Sequence, residues 1–133
     1  TRKLILERPV NLERFEAQSL PNEIAVSSVT LAELAAGPHA TNDAAERARR
    51  QERLQRVEAT FDPLPFDAGA ARAYGRIYAA TVAAGRKARG RRAVDLMIAA
   101  VALSSGFPLY TCNPEDFRGL EKLIDVVAVK AMT

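Results

Sequence analysis

Three acids sit where an α/β protein puts chemistry: Glu33 in TLAELAAG (30–37), Asp95 in RRAVDLMIAAVALSSG (91–106) and Asp116 in TCNPEDF (111–117). Asp95 is the most informative, because no other side chain from Ala93 to Leu103 is charged or polar. A helix over that segment has no polar face and must be buried all round, carrying its one carboxylate into apolar surroundings. Arg91 and Arg92 precede it, and Gly106 is its stop signal.

Each acid also has a purely structural role open to it. Thr30-x-x-Glu33 has the form of a capping box. Asn113-Pro114-Glu115-Asp116 reads as an Asn cap, a Pro at the first helical position and two first-turn acids facing the helix dipole. Asp95 reads as a first-turn acid paired with Arg92. Taken singly, these readings are the simpler ones. Convergence changes the balance: a cap is worth ~1 kcal/mol, whereas two carboxylates at 4 Å repel by about 4 kcal/mol at an effective dielectric of 20. Three clustered acids therefore require a cation, and oxygen ligands of this kind suit Mg²⁺ or Mn²⁺.

Convergence depends on the elements that carry the acids. A helix is expected over 11–19, ended by Pro21, then a strand over 24–29 and a helix over 30–37. A long helix over 43–59 follows Asp43, FDPLPF (61–66) is too proline-rich for more than a short or edge strand, and Asp67 caps a helix to about Ala84. After the buried helix over 93–105 come a strand at 108–112, a short helix from Pro114 to Leu120 and a strand at 124–129. Strands that are continuously apolar and separated by helices indicate a mainly parallel sheet covered on both faces. The carboxyl ends of such strands are where sites form, and Glu33 and Asp116 each follow a strand end by four residues.

The chain has 133 residues, enough for a single domain over 1–133 with one core. Its apolar fraction of 48% and charged fraction of 26% exclude a disordered or membrane-embedded protein. The longest uncharged apolar run, Leu96 to Leu103, is far short of the ~20 residues a spanning helix needs. No secretory signal is visible, and the lone Cys112 has no internal disulfide partner, so a reducing cytoplasm is expected. The net charge of +3 is small, but Arg86, Lys87, Arg89, Arg91 and Arg92 form an acid-free cluster just before Asp95. That cluster is either a polyanion-binding surface or a solvated loop. A second cluster, Arg47 to Arg56, is interleaved with Glu46, Glu52 and Glu58 and reads as an ion-paired, solvated helix face. With five Phe, three Tyr and no Trp, contacts to nucleic acid would fall on phosphates more than on bases.

The strand followed by T-x-x-E-L, then V-D-L-M-I-A-A-V-A-L-S-S-G, then T-C-N-P-E-D-F, in that order, closely resembles the PIN-domain ribonuclease toxins of VapBC toxin–antitoxin pairs. The resemblance runs from about Val26 to Val129. It implies a three-layer α/β/α fold and an acid cluster that binds Mg²⁺ or Mn²⁺. It also implies cleavage of structured RNA such as tRNA or rRNA, a VapB-like antitoxin and a homodimer. Glu33, Asp95 and Asp116 match the family's second, third and fourth acids, as catalytic residues and metal ligands, and Thr111 and Asn113 match polar residues that support the site. The family's first strand, ending in an acid, has no evident match. Glu7 is followed by Arg-Pro, and the expectation is that this strand and its ligand are lacking from the sequence given, which starts at Thr1.

Two other classes stay open on the residues alone. One is a metal-dependent phosphatase or receiver-type domain, although no early acid pair is present and Lys130 is close to the carboxyl terminus. The other is a catalytically impaired module of the same fold that binds RNA or protein. Tyr74, Ile77 and Tyr78, with Leu31 and Leu34, are candidates for a groove or dimer surface, with core packing as the competing role.

Overall fold

In the computed structural model, residues 3–8 and 23–129 are described; the helix expected over 11–19 and Lys130 lie outside them. Five parallel strands form one sheet in the order β3-β2-β1-β4-β5. They are β1 Lys3–Leu6, β2 Glu23–Ser27, β3 Pro63–Leu64, β4 Leu109–Thr111 and β5 Val126–Ala128. The helices among the described residues are α1 Ser28–Ala36, α2 Ala44–Thr60, α3 Ala68–Ala83 and α4 Arg91–Ser105, and the whole is a three-layer α/β fold.

The sheet's middle strand is the one expected to be lacking. KLIL forms β1, paired in register with β2 (Leu4 with Ile24, Ile5 with Ala25) and with β4 (Ile5 with Leu109). Its apolar residues face opposite ways, as period-2 geometry requires. Ile5 enters the core built by α3 and α4, while Leu4 and Leu6 pack with Val129, Ile24 and Tyr110. A strand covered on both faces needs no polar alternation, so four apolar-to-basic residues suffice.

The other elements follow their sequence signals with shifted edges. Asp43 and Asp67 cap α2 and α3 as expected, accepting from the amides of Glu46 at 3.0 Å and Ala70 at 2.9 Å. FDPLPF contributes only the two-residue edge strand β3. The segment after Asn113 is one 3₁₀ turn, Pro114–Phe117, and Asn113 makes no side-chain cap. Helix α1 begins two residues early, capped by Ser27, whose hydroxyl accepts from the Val29 amide at 3.0 Å. Thr30 and Glu33 therefore form no capping box.

Helix α4 lies between two positive-φ glycines, Gly90 and Gly106, and is buried from Asp95 through Ala102 except at half-buried Met97. It packs against α3, where Ala70, Ala73 and Ile77 join its core. The proposed apolar groove is not assembled as expected. Ile77 is fully buried, Tyr74 packs on the α3/α4 core, and Leu34 belongs to a separate cluster with Val26, Val57 and Phe61. Tyr78 and Val82 are the exposed large apolar residues of α3.

Candidate metal centre

The carboxyl ends of β1 and β4 and the start of α4 meet around three acids. Glu7 follows β1 directly, and its position is fixed from both sides. Its amide donates to the Tyr110 carbonyl at 2.9 Å, extending the ladder to β4, and its carbonyl accepts from the Thr30 hydroxyl at 2.8 Å. The residue is 2% exposed, and its carboxylate accepts from the Thr111 hydroxyl at 2.5 Å. Thr111 in turn accepts from the Asn113 amide at 2.9 Å, which sets the chain's exit from β4. Of the two residues expected to support the site, Thr111 thus touches Glu7 through its side chain, and Asn113 touches Thr111 through its backbone.

Asp95 is in the second turn of α4, not the first, because the helix begins at Arg91. It can serve neither as a cap nor as a first-turn dipole acid, and Arg92 does not pair with it. Asp116 is carried by the 3₁₀ turn, which buried Phe117 pins to the core. Arg92 donates to the Asp116 carbonyl at 2.8 Å, and Arg86 to the carbonyls of Glu115 and Arg118 at 2.7 and 3.0 Å. Gly119 allows this loop to approach α3: its φ is +99°, and an added Cβ would lie 2.8 Å from that of Ala84.

Glu7, Asp95 and Asp116 each offer a carboxylate oxygen, and these atoms lie within 4.8 Å of one another. Above them opens a pocket of about 430 Å³ bordered by Arg8, Glu33, Arg91, Asp95, Asn113 and Asp116. Burial pushes the Glu7 carboxyl up to about 7; the Thr111 hydrogen bond and Arg8 pull it down, and Asp95 raises it further. Among the described residues, the one countercharge drawn in among the acids is Arg8. Its guanidinium lies 2.6 Å from Glu7, 3.1 Å from Glu33 and 2.9 Å from Asp95. Burial lowers the Arg8 pKa, but the three carboxylates outweigh it and the net shift is upward. The contact to Asp95 is an ion pair without hydrogen-bond alignment. Asp95 Oδ1 is buried and accepts no hydrogen bond among the described residues.

A buried carboxylate oxygen that accepts no hydrogen bond, beside two further carboxylates, is a donor set for a hard cation, and the residues fit a divalent ion. A PIN domain model matches residues 4–123.

The chain belongs to the PIN domain family.

It is 36% identical to ribonuclease VapC5 of Mycobacterium tuberculosis over 111 residues, 84% of this chain and 78% of that protein. The crystal structure of VapBC-5 from the same organism superposes with a TM-score of 0.82 at 33% identity, covering 97% of this chain and 100% of that one. FitAcB from Neisseria gonorrhoeae matches with a TM-score of 0.72 at 25% identity, over 93% and 96% of the two chains. The resemblance carried by the three motifs therefore holds: this is a VapC-like PIN domain.

Within this PIN domain, the acid group differs by one member from the set read in the sequence. Asp95 and Asp116 are in it, Glu7 replaces the acid expected to be lacking, and Glu33 stands outside it, held by Arg8. Only the order of the family pattern could have found Glu7: KLIL precedes an acid, as the family's first strand does, but four residues carry no strand signal of their own. The basic cluster also divides. Arg86 and Arg92 are half-buried and bound to carbonyls, whereas Lys87, Arg89 and Arg91 are exposed and make no ion pair among the described residues.

Proposed function

We propose that this PIN domain is the toxin of a type II toxin–antitoxin pair, an endoribonuclease that depends on Mg²⁺ or Mn²⁺ and cuts structured RNA such as tRNA or rRNA. The observation that carries the reading is the Glu7–Asp95–Asp116 group, buried at its first two members, with an Asp95 oxygen that accepts no hydrogen bond among the described residues. The name of the relative, ribonuclease VapC5, supports nuclease chemistry, and the VapBC complex supports a VapB-like antitoxin as partner. A homodimer and a cytoplasmic setting complete the reading. Among the described residues no helix is long and apolar enough to cross a membrane.

A divalent ion bound here supplies positive charge at the scissile phosphate and acidifies an attacking water. The protein's own groups do the rest. Glu7, Asp95 and Asp116 would hold the ion, Glu7 kept in place by Thr111 and by the ladder to β4. Asp116, the half-buried member, would give one carboxylate oxygen to the ion and with the other orient the water and take its proton. Arg91 at the pocket rim, with exposed Lys87 and Arg89, holds backbone phosphates. None of these steps calls on the histidine, and His39 is exposed in a 3₁₀ turn. The impaired-module alternative rested on a lacking first acid, and Glu7 at the end of β1 is a candidate for that acid, which favours the active reading.

Purified protein incubated with tRNA and rRNA, with Mg²⁺ or Mn²⁺ and then with a chelator, tests the proposal. Cleavage confined to the metal-containing reactions is expected. Cleavage that survives the chelator, or activity on a phosphate monoester with none on RNA, would overturn it.

A further inference from the structure

We infer that Arg8 sets the metal occupancy of this site: its guanidinium and a divalent cation compete for Glu7 and Asp95, and Glu33 is the anchor that holds Arg8 when the ion takes its place. The inference rests on the metal-dependent reading of the pocket and goes beyond it by giving Arg8 and Glu33 roles of their own.

The geometry supports this division. Arg8 meets Glu33 through two aligned hydrogen bonds, Nε to Oε1 at 3.3 Å and Nη2 to Oε2 at 3.1 Å, the planar two-point contact that guanidinium makes best with carboxylate. To Glu7 it donates one hydrogen bond, from Nη1 to Oε2 at 2.6 Å. To Asp95 it makes an unaligned contact that leaves Oδ1 without a hydrogen bond. Two nitrogens of the arginine thus bond the exposed acid, Nη2 being shared with Asp95, and the contacts that would have to let go are one hydrogen bond to Glu7 and one unaligned contact to Asp95. Asp116 belongs to the acid group but makes no ion pair with Arg8. A cation that takes up Glu7, Asp95 and Asp116 together therefore satisfies an oxygen that Arg8 cannot reach.

Competition has a distinctive signature. Removing a positive charge that shares ligands with the ion tightens ion binding, whereas removing a merely structural arginine weakens or spares it. Titration of Mn²⁺ into the intact protein by calorimetry, with electron paramagnetic resonance of free Mn²⁺ as a second readout, is the measurement. Arg8→Ala is expected to lower the Mn²⁺ Kd by about tenfold or more, and Arg8→Lys, which keeps a charge but loses the fork, to fall between it and the natural protein. Should Arg8→Ala fold poorly without metal, Arg8→Gln keeps length and polarity and is expected to show the same tightening.

Glu33→Gln separates the anchor from a ligand. As an anchor, Glu33 affects Mn²⁺ only through Arg8, so Glu33→Gln weakens binding in the natural background but shifts Kd by no more than about threefold in the Arg8→Ala background. Equal or weaker Mn²⁺ binding in the Arg8 variants overturns the inference and leaves the metal reading standing. Loss of binding on Glu33→Gln in both backgrounds makes Glu33 a ligand and overturns its role as anchor. No Mn²⁺ binding in any variant overturns both the inference and the metal reading.

Discussion

Arginine–carboxylate pairs occur in two regions of this protein with opposite meaning. On α2, Glu46 pairs with Arg49 and Arg50, each at 2.9 Å, and Glu52 pairs with Arg56 at 3.0 Å, all on a solvated helix face. Beneath the pocket, Glu7 and Asp95 pair with Arg8 at similar distances, but both acids are buried. The contrast shows in the direction of titration. Hydrogen bonds from Arg50 and Arg49 hold Glu46 below the usual carboxylate range, whereas burial drives Glu7 up to about 7 despite its arginine. Water makes the surface pairs inexpensive and weak. Its exclusion leaves the buried acids incompletely compensated, and an incompletely compensated acid group is poised to take a cation.

The strongest way to break this contrast is Asp95→Asn. It keeps the shape but removes the charge, so metal-dependent RNA cleavage is expected to fall to background, while circular dichroism shows the fold retained. The equivalent change on α2, Glu52→Gln, is expected to leave cleavage at the natural rate. Next in size is Arg92→Ala, which frees the turn that presents Asp116. A loss of about 10- to 100-fold in cleavage or Mn²⁺ affinity is expected, as for other supports of a metal site. Arg92→Lys should restore part of it. Unchanged Mn²⁺ affinity with weakened RNA binding would instead return Arg92 to the RNA surface.

Smaller effects separate the regions by pH. Glu7, protonated in the metal-free folded protein up to about 7 but only to about 4.5 when unfolded, gives stability that is full below pH 4.5 and lost as the pH rises to 7. Melting temperatures of the metal-free protein, compared with Glu7→Gln, should diverge over that window. Mn²⁺ affinity should rise across it as the proton leaves. Glu46 has the opposite sign: its contribution is present above pH 4.5 and lost as the pH falls through its lowered value. The smallest expected change is charge reversal at Arg89 and Arg91. It should weaken RNA binding and reduce the log–log salt slope by about 0.7 to 0.9 for each phosphate no longer neutralised, with Mn²⁺ affinity unchanged.

The contrast also explains what was legible in the sequence. Asp95 stood out because a helix without a polar face has no ordinary use for an acid, and its burial follows from the same pattern. The α2 pairs were legible from i, i+3 and i, i+4 spacing. Strand β1 was not, since four residues followed by Glu-Arg-Pro have neither the alternation of a half-buried strand nor the length of a typical core strand. Only its pairing with β2 and β4 makes it the middle of the sheet. Glu33 had a complete local explanation in the capping box. Its actual partner, Arg8, is 25 residues away and comes near only through the parallel pairing of β1 and β2. Arg86 and Arg92 were hidden for the same reason, because their carbonyl partners lie 24 to 32 residues along the chain.

The central claim is that three acids from separate parts of the chain form one cation site. Crystals soaked in Mn²⁺ and measured near the manganese edge test it most directly. The account predicts a single strong anomalous peak bounded by the carboxylates of Glu7, Asp95 and Asp116, with the Arg8 side chain displaced toward Glu33. No peak at saturating Mn²⁺, or a peak ligated by Glu33 while Arg8 still lies on Glu7 and Asp95, would contradict it.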